Sequence, residues 1–531
     1  MTERSIFGTE EGAASRYNAG LAAADVIAHG LPDRPAVIYE SSLGISTISF
    51  GELAAQSSAL ACELQSYGIG MQDTVGVFAP ASIAAVVAHV AVLKCGAVTV
   101  PLVPMLGDDA LAHRAGDAKL KALLVDPALT GRAAAIAERH PRSLQVIPIE
   151  PQRGSTGTDG RLDAPAAASQ TLPDDPALIL YTSGTTGRSK GAILPQRVVL
   201  ARHVPLSMIH GPLLADDVFW TPADWIWVGS LVDCVLAPLT MGCTVMTYER
   251  RRFDPLVAVD QIKRHGVTRA FLPPTALRQL MEVDEAAWEG HSLRSIHSGG
   301  EKLTADALAW ARDTLGLTVD EIYGLTEASF LAGSAHRFYP PAPASLGRPF
   351  PGQTLRVARD DGTNVAPGEV GELMVPCASP SLFLGYYGKP ELTASCFRDG
   401  WFGTGDMMRH DEEGRLYYLG RKDDLIMSSG HRIGPGEIED VLRTHIEVFD
   451  AVVVGEPDFE RGQVIKAVVQ LRQNGNGTSG HDELTVELQD LVRVKVGRHA
   501  YPRRIEYVNE YPRTVTGKIR RDVLRQPMAP R

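Results

Sequence analysis

The chain has 531 residues, 44% hydrophobic and 22% charged, the balance of an ordinary globular protein but too long for one core, so two or more domains are expected. A net charge of −11 leaves no surplus of Lys and Arg to neutralise a phosphate backbone, which excludes nucleic acid as a main partner. The start, Met1-Thr2-Glu3-Arg4-Ser5, has no apolar signal core, and the apolar run from Ile83 to Leu93, broken by His89, is too short to span a bilayer. None of the six cysteines forms a Cys-x-x-Cys pair; small buried hydrophobes in a reducing, cytoplasmic protein are expected.

In chain order, Phe50 to Leu64 is apolar at helical spacing, Thr74 to Phe78 is strand-like and Ser82 to Leu93 is helical. Val98 to Leu102 and Ala122 to Val125 are strand-like again, and this alternation predicts an α/β fold with a largely parallel sheet. Residues 151–176 are a Gly/Ser/Thr/Pro/Asp-rich connection. It leads into Tyr181-Thr182-Ser183-Gly184-Thr185-Thr186-Gly187-Arg188-Ser189-Lys190-Gly191. There, three glycines, five hydroxyls and two cations follow a buried strand end. Glycine lets backbone N–H groups close round a phosphate, and hydroxyls and cations add to the grip. The run lacks the Gly-Lys-Ser/Thr ending of a Walker A loop. A second α/β half runs from Arg197 to about Glu321, and residues 345–420 carry short strands and turns. A small domain is expected after Gly420-Arg421-Lys422-Asp423-Asp424, giving a division into 1–421 and 422–531.

Further motifs follow. Glu321-Ile322-Tyr323-Gly324-Leu325-Thr326-Glu327 sets a hydroxyl beside a carboxylate, a pair able to hold a phosphate oxygen and a magnesium ion. Asp406, in Trp401-Phe402-Gly403-Thr404-Gly405-Asp406, can accept two ribose hydroxyls at once. Gly475-Asn476-Gly477-Thr478-Ser479-Gly480 matches a dinucleotide fingerprint in letters, but its polar context marks a loop.

The order of these motifs, from about residue 48 to 521, resembles the adenylate-forming superfamily: acyl-CoA synthetases, aryl-CoA ligases, luciferase and peptide-synthetase adenylation domains. The resemblance implies a large N-terminal domain of α/β subdomains with a β-rich segment, and a small mobile C-terminal α+β domain. It assigns ATP to Thr182, Ser183, Gly184, Thr185, Thr186, Gly187 and Lys190, to Gly300 and Glu301, and to Glu321, Ile322, Tyr323, Gly324 and Thr326. Tyr323 would stack on adenine, Thr326 would touch the α-phosphate and Glu327 would bind magnesium. Asp406 with Arg421 would hold the ribose, and Arg432 would also face the nucleotide. Lys302 stands where the family often has Pro after Glu301. Asp423 would be the hinge, Gly430 and His431 would border coenzyme A, and Lys518, in Pro512-Arg513-Thr514-Val515-Thr516-Gly517-Lys518, would be the catalytic cation.

The implied reaction converts a carboxylate to an acyl-adenylate with loss of pyrophosphate. Coenzyme A then displaces AMP after the small domain rotates. A freestanding enzyme that loads a carrier protein is the main alternative; a luciferase-like oxidase and a non-catalytic nucleotide sensor are others. Amino-acid-specific relatives usually carry an Asp for the substrate amine, and Asp224 is the one candidate here. Gly324 stands where acetate-specific relatives carry Trp, so an open slot is expected. With Trp225, Val228, Gly229, Leu325 and Phe330 lining it, it would suit a short- to medium-chain or branched acid, aryl acids remaining open. Expected partners are the acid, ATP, Mg2+ and coenzyme A. A homo-oligomer and a lysine acetyltransferase acting on Lys518 are compatible with this reading; integral membrane association is not expected.

Overall fold

The computed structural model describes residues 16–140, 142–149, 169–182, 188–250, 252–301, 303–428, 431–458, 462–472, 481–497, 500–513 and 519–525. Backbone contacts divide the chain into two compact units. The first holds residues 1–343, 347–354 and 377–397, the second 344–346, 355–376 and 398–531.

Continuous apolar runs build the first unit's core. Strands Thr74–Phe78, Val98–Leu102 and Ala122–Val125 are buried along their whole length, as parallel strands covered on both faces must be. They form the centre of a seven-stranded sheet. Its order is Gly385–Tyr386, Lys190–Pro195, Pro176–Thr182, Val98–Leu102, Thr74–Phe78, Ala122–Val125, Gln145–Pro148. Helix Phe50–Ser66 starts on a capping box, in which the Ser49 hydroxyl accepts from Glu52 N–H and the Glu52 carboxylate from Ser49 N–H. Helix Ile83–Lys94, apolar all round, is interior.

A second sheet of nine strands completes this unit. It takes in Val218–Trp220, Thr244–Tyr248, Arg269–Phe271, Ser295–Gly299, Val319–Leu325 and Ala328–Gly333. Two strands from the start of the chain, Pro35–Ser41 and Gly44–Ser49, also join it, Val37 pairing with Val245 in parallel. The expected second α/β half runs from Arg197 to about Glu321 and includes neither of these two early strands, and local alternation does not say which sheet a strand enters.

Among the described residues the second unit has two sheets. One pairs Arg356–Ala358, Gly371–Pro376, Trp401–His410 and Leu416–Arg421 in antiparallel order. The other centres on the long hairpin Val448–Asp458 and Gly462–Leu471, with Arg504–Tyr507 added in parallel. Helices Pro435–Arg443 and His481–Lys495 bury Ile438, Leu442, Leu484 and Leu488 in the same core. This is the mixed α/β architecture expected. The glycine-rich decoy at 475–480 lies outside the described residues.

The cysteines depart from expectation: Cys95, Cys234 and Cys243 are buried, whereas Cys62 and Cys377 are exposed and Cys396 is half-buried. Among the described residues no helix is long and apolar enough to cross a membrane.

Candidate functional site

The phosphate-type loop is the connection of a hairpin. Thr182 pairs with Lys190 across strands Pro176–Thr182 and Lys190–Pro195, which closes the base of the loop. Ser183, Gly184, Thr185, Thr186 and Gly187 lie outside the described residues. Ser189 is held at its carbonyl by His113 Nε2 (3.1 Å).

The Tyr-Gly-x-Thr-Glu motif is also a hairpin tip. Strand Val319–Leu325 turns through Thr326 and Glu327 into strand Ala328–Gly333, so the Thr–Glu pair opens no helix. Thr326 is half-buried and Glu327 is buried. The two hairpins belong to different sheets and meet on one residue. The edge strand Gly385–Tyr386 pairs with strand Lys190–Pro195, Tyr386 opposite Ala192. The Tyr386 hydroxyl donates to Glu327 Oε1 (2.6 Å), Phe383 N–H donates to the Glu327 carbonyl (2.8 Å), and Lys190 Nζ lies 5.0 Å from the Tyr386 ring centroid. A tyrosine face attracts a cation, so Tyr386 engages Lys190 through its ring and Glu327 through its hydroxyl.

Among the described residues no cluster of three His, Cys, Asp or Glu could hold a metal ion alone. Glu327 fits magnesium in the usual way for that ion, as one carboxylate beside substrate phosphates. Tyr323 is buried, and its strand neighbour Ile322 pairs with Gly299. Gly300 follows at φ +90°, and Glu301 lies 3.6 Å from Arg278 Nη2. The Glu321 carboxylate accepts from Leu303 N–H (3.3 Å).

Gly324 corrects the expectation of an open slot at that position. A Cβ there would come within 2.7 Å of Phe330 N and Ser329 Cα, backbone atoms of the facing strand. The missing side chain serves the close approach of two strands at a register shift between Tyr323 and Leu325.

The remaining acyl-slot candidates surround a feature the apolar periodicity did not reveal. Val228–Leu236 is a π-helix, the wide helical form often found at functional sites. It carries Val228, Gly229 and Asp233, and Trp225 is buried just before it. Arg202 ties this helix to the strand behind Gly324, its Nε donating to Asp233 Oδ1 (2.6 Å) and its Nη2 to the Ser329 hydroxyl. Burial pushes the Asp233 carboxyl up to about 6, against the pull of Arg202. Phe330 is buried at φ 55°, its ring 5.9 Å from Phe350 and 5.8 Å from His297. Leu325 pairs with Ala328 at the hairpin tip. Asp224 lies 3.6 Å from Arg250, a partner that competes with any substrate amine.

In the second unit, Asp406 and Arg421 face each other across strands Trp401–His410 and Leu416–Arg421, and Arg421 Nη1 donates to Asp406 Oδ1 (3.0 Å). Gly405, at φ +71°, makes room for that guanidinium: a Cβ there would lie 2.9 Å from Arg421 Nη2. Asp423 is exposed in a short turn whose backbone is held by Arg525, which donates to the Asp423 carbonyl (2.9 Å). Strands Ile426–Ser428 and His431–Ile433 pair antiparallel, with Ser428 opposite His431 and Met427 opposite Arg432. Gly430 itself is outside the described residues, as is Lys518. Arg513 bridges to Ile519, and Arg520 N–H donates to the Pro512 carbonyl (2.8 Å).

The family model of AMP-binding enzymes matches residues 25–387, and that of the AMP-binding enzyme C-terminal domain matches 437–518. The chain belongs to the AMP-binding enzyme family. The superfamily resemblance carried by the motifs is thereby shown, and the chain is an enzyme. Among relatives, an uncharacterized acyl–CoA ligase, YtcI, from Bacillus subtilis (strain 168) is 31% identical over 507 residues, 93% of each chain. Among solved structures, ATP-bound MatB from Rhodopseudomonas palustris has a TM-score of 0.82 at 28% identity, covering 96% of this chain and 98% of that one. The o-succinylbenzoate CoA synthetase MenE from Bacillus subtilis, in complex with an acyl-adenylate intermediate, has a TM-score of 0.80 at 26% identity, covering 96% and 99%.

Proposed function

We propose that this AMP-binding enzyme is an acyl-CoA synthetase. It joins a carboxylic acid to the α-phosphate of ATP, releasing pyrophosphate, and then passes the acyl group to the thiol of coenzyme A, releasing AMP. The observation that carries the reading is the meeting of Lys190 and Glu327 on Tyr386, which brings the base of the phosphate-type loop to the Thr–Glu motif. Relatives named for acyl-CoA ligation, and neighbours holding ATP or an acyl-adenylate, support it.

A carboxylate is a poor electrophile because its leaving group would be an oxide. Attack of its oxygen on the α-phosphorus forms the mixed anhydride and breaks the bond to pyrophosphate. Charge then builds on the phosphate oxygens, where fixed donors and cations stabilise it. Residues 182–190 would hold the triphosphate, and Thr326 would donate to the α-phosphate. A magnesium ion, when bound, would supply charge to those oxygens, with Glu327 as its protein ligand. Asp406, held by Arg421, would accept the ribose hydroxyls. Lys518 would serve the first step alone. Gly430 would leave room for the pantetheine arm in the second, Asp423 being the pivot between them. A short- to medium-chain, branched or aryl acid is the proposed substrate class.

The test is a panel of carboxylic acids with ATP and Mg2+, read by pyrophosphate release with and without coenzyme A. Acid-dependent pyrophosphate with formation of an acyl-CoA thioester is expected. Pyrophosphate release with no thioester, but transfer to a carrier-protein thiol, would move the assignment to carrier loading.

A further inference from the structure

Behind Gly229 and Phe330 stands a chain of polar groups that ends on an unpartnered atom. Arg269 is clamped on Asp217, its Nε donating to Oδ1 (3.0 Å) and its Nη2 to Oδ2 (3.1 Å). Its Nη1 donates to the Ser295 hydroxyl (3.0 Å). Ser295 Oγ lies 2.5 Å from His210 Nδ1, and His210 Nε2 lies 3.0 Å from His297 Nδ1. Every member is buried. His297 Nε2, at the end, is buried with no hydrogen-bond partner among the described residues.

The direction of this chain follows from its first member. A guanidinium only donates, so Ser295 accepts from Arg269, and the remaining acceptor for the Ser295 proton is His210 Nδ1. Burial holds both histidines neutral, His297 at about 3, so each ring carries one proton. His210 then bears its proton on Nε2 and donates it to His297 Nδ1. That leaves the His297 proton on Nε2. The reverse order would strand the Ser295 hydroxyl proton in the interior, the arrangement native structures avoid. The neighbouring carboxylate, Asp320, is opposite His297 on the next strand but accepts from His336 N–H and Nδ1.

What surrounds the end of the chain is aromatic. Phe271 stacks on His297 with centroids 5.1 Å apart, and Phe330 approaches at 5.8 Å. A Cβ on Gly229 would lie 3.0 Å from the Phe271 ring. Of the residues assigned to the acyl slot, Gly229 thus contacts the Phe271 ring that stacks on His297, and Phe330 is itself the second ring near His297.

We infer that His297 is a specificity-determining residue whose Nε2–H donates to an oxygen on the acyl group, so that the acid carries a hydrogen-bond acceptor on a chain or ring lying against Phe271 and Phe330. The inference rests on the reading that Gly229 and Phe330 border the acyl slot. A methylene in place of that oxygen would leave the donor buried and unsatisfied, a penalty that sites built to hydrogen-bond a substrate use for discrimination.

The experiment compares kcat/KM for pyrophosphate release, in the full-length enzyme, across acids matched in shape. The pairs are phenoxyacetate with 3-phenylpropanoate, methoxyacetate with butanoate, and 4-oxopentanoate with 4-methylpentanoate. Ether oxygens accept and cannot donate, so they report the direction of the chain. In at least one pair the oxygen acid should be preferred by about tenfold or more. His297→Phe, which keeps the stack and removes the donor, should bring that ratio near one. His297→Gln, which keeps a donor, should retain part of it. Ser295→Ala, which frees the tautomer without touching the ring, should lower it. A parent ratio of one or less in every pair, or a tenfold preference that survives in His297→Phe, overturns the proposal. Pyrophosphate release with none of the six acids would instead overturn the acid-activation reading beneath it.

Discussion

Tyr386 donates its hydroxyl hydrogen to Glu327 from a strand that also flanks the phosphate-type hairpin (Oη to Oε1, 2.6 Å). One side chain thereby links the edge of the seven-stranded sheet to a hairpin tip of the nine-stranded one. The bond holds one of the two Glu327 carboxylate oxygens.

Removing that hydroxyl should loosen Glu327, the proposed magnesium ligand, without disturbing the fold, because Phe fills the same space. Tyr386→Phe is expected to lower kcat for pyrophosphate release by about tenfold, the effect of losing a hydrogen bond to a charged group, and to raise the Mg2+ concentration for half-maximal rate. Thioester formation from supplied acyl-adenylate should be almost unchanged. A variant with parental kcat and Mg2+ dependence would show that Tyr386 plays no part in placing Glu327.

Gly324 should behave as a residue of the fold. Its Cβ direction meets the Ser329 and Phe330 backbone at 2.7 Å, so Gly324→Ala must push two strands apart. A loss of about 1–3 kcal/mol in stability is expected, seen as a lower Tm, with kcat/KM falling for all acids alike. If Tm holds and the dependence on acyl length changes shape, the position borders the substrate instead.

Much of this was legible from the residues alone. Strands such as Thr74–Phe78 and Ala122–Val125 are continuous apolar runs, and the Ser49–Glu52 capping box marks its helix start in letters. What the letters lacked was partnership. Pro35–Ser41 pairs with Thr244–Tyr248, about two hundred residues on, by a match of shape that no local pattern encodes. Tyr386 was missed for the same reason, although Gly385-Tyr386-Tyr387-Gly388, a short aromatic strand between glycines, is a signal that could have drawn attention to it. The π-helix at Val228–Leu236 has the apolar content of any buried helix, and composition does not report its wider turn. Gly324 looked like open space because a missing side chain can equally mean a close backbone.

The two half-reactions should separate by mutation. Lys518→Ala is expected to abolish acyl-adenylate formation and spare thioester formation from supplied adenylate. Gly430→Leu should do the opposite, releasing pyrophosphate at nearly the parental rate while blocking the CoA ester, because its side chain would fill the pantetheine path. Single-turnover assays of each half decide this. Equal losses in both halves for either variant would contradict the division of roles.

Acid should weaken the first unit through its buried histidines. His89 is fully buried beside Thr99 (Nδ1 to Oγ1, 2.7 Å), and burial lowers it from 6.5 to about 3. The folded state therefore resists a proton that the unfolded chain takes up below pH 6.5. Stability is complete above that value and falls as the pH drops toward 3, by about 1.4 kcal/mol per pH unit for this residue. Thermal unfolding from pH 7.5 to 5.0 should show a steeper decline for the parent than for His89→Asn. Parallel curves would mean that His89 gains no proton on unfolding.

The central claim, activation of an acid as its adenylate, is tested most directly by exchange of labelled pyrophosphate into ATP without coenzyme A. The account predicts exchange that requires both the acid and Mg2+ and is lost in Lys518→Ala. Exchange that needs coenzyme A from the start, or ATP consumption that yields ADP and phosphate, would contradict it.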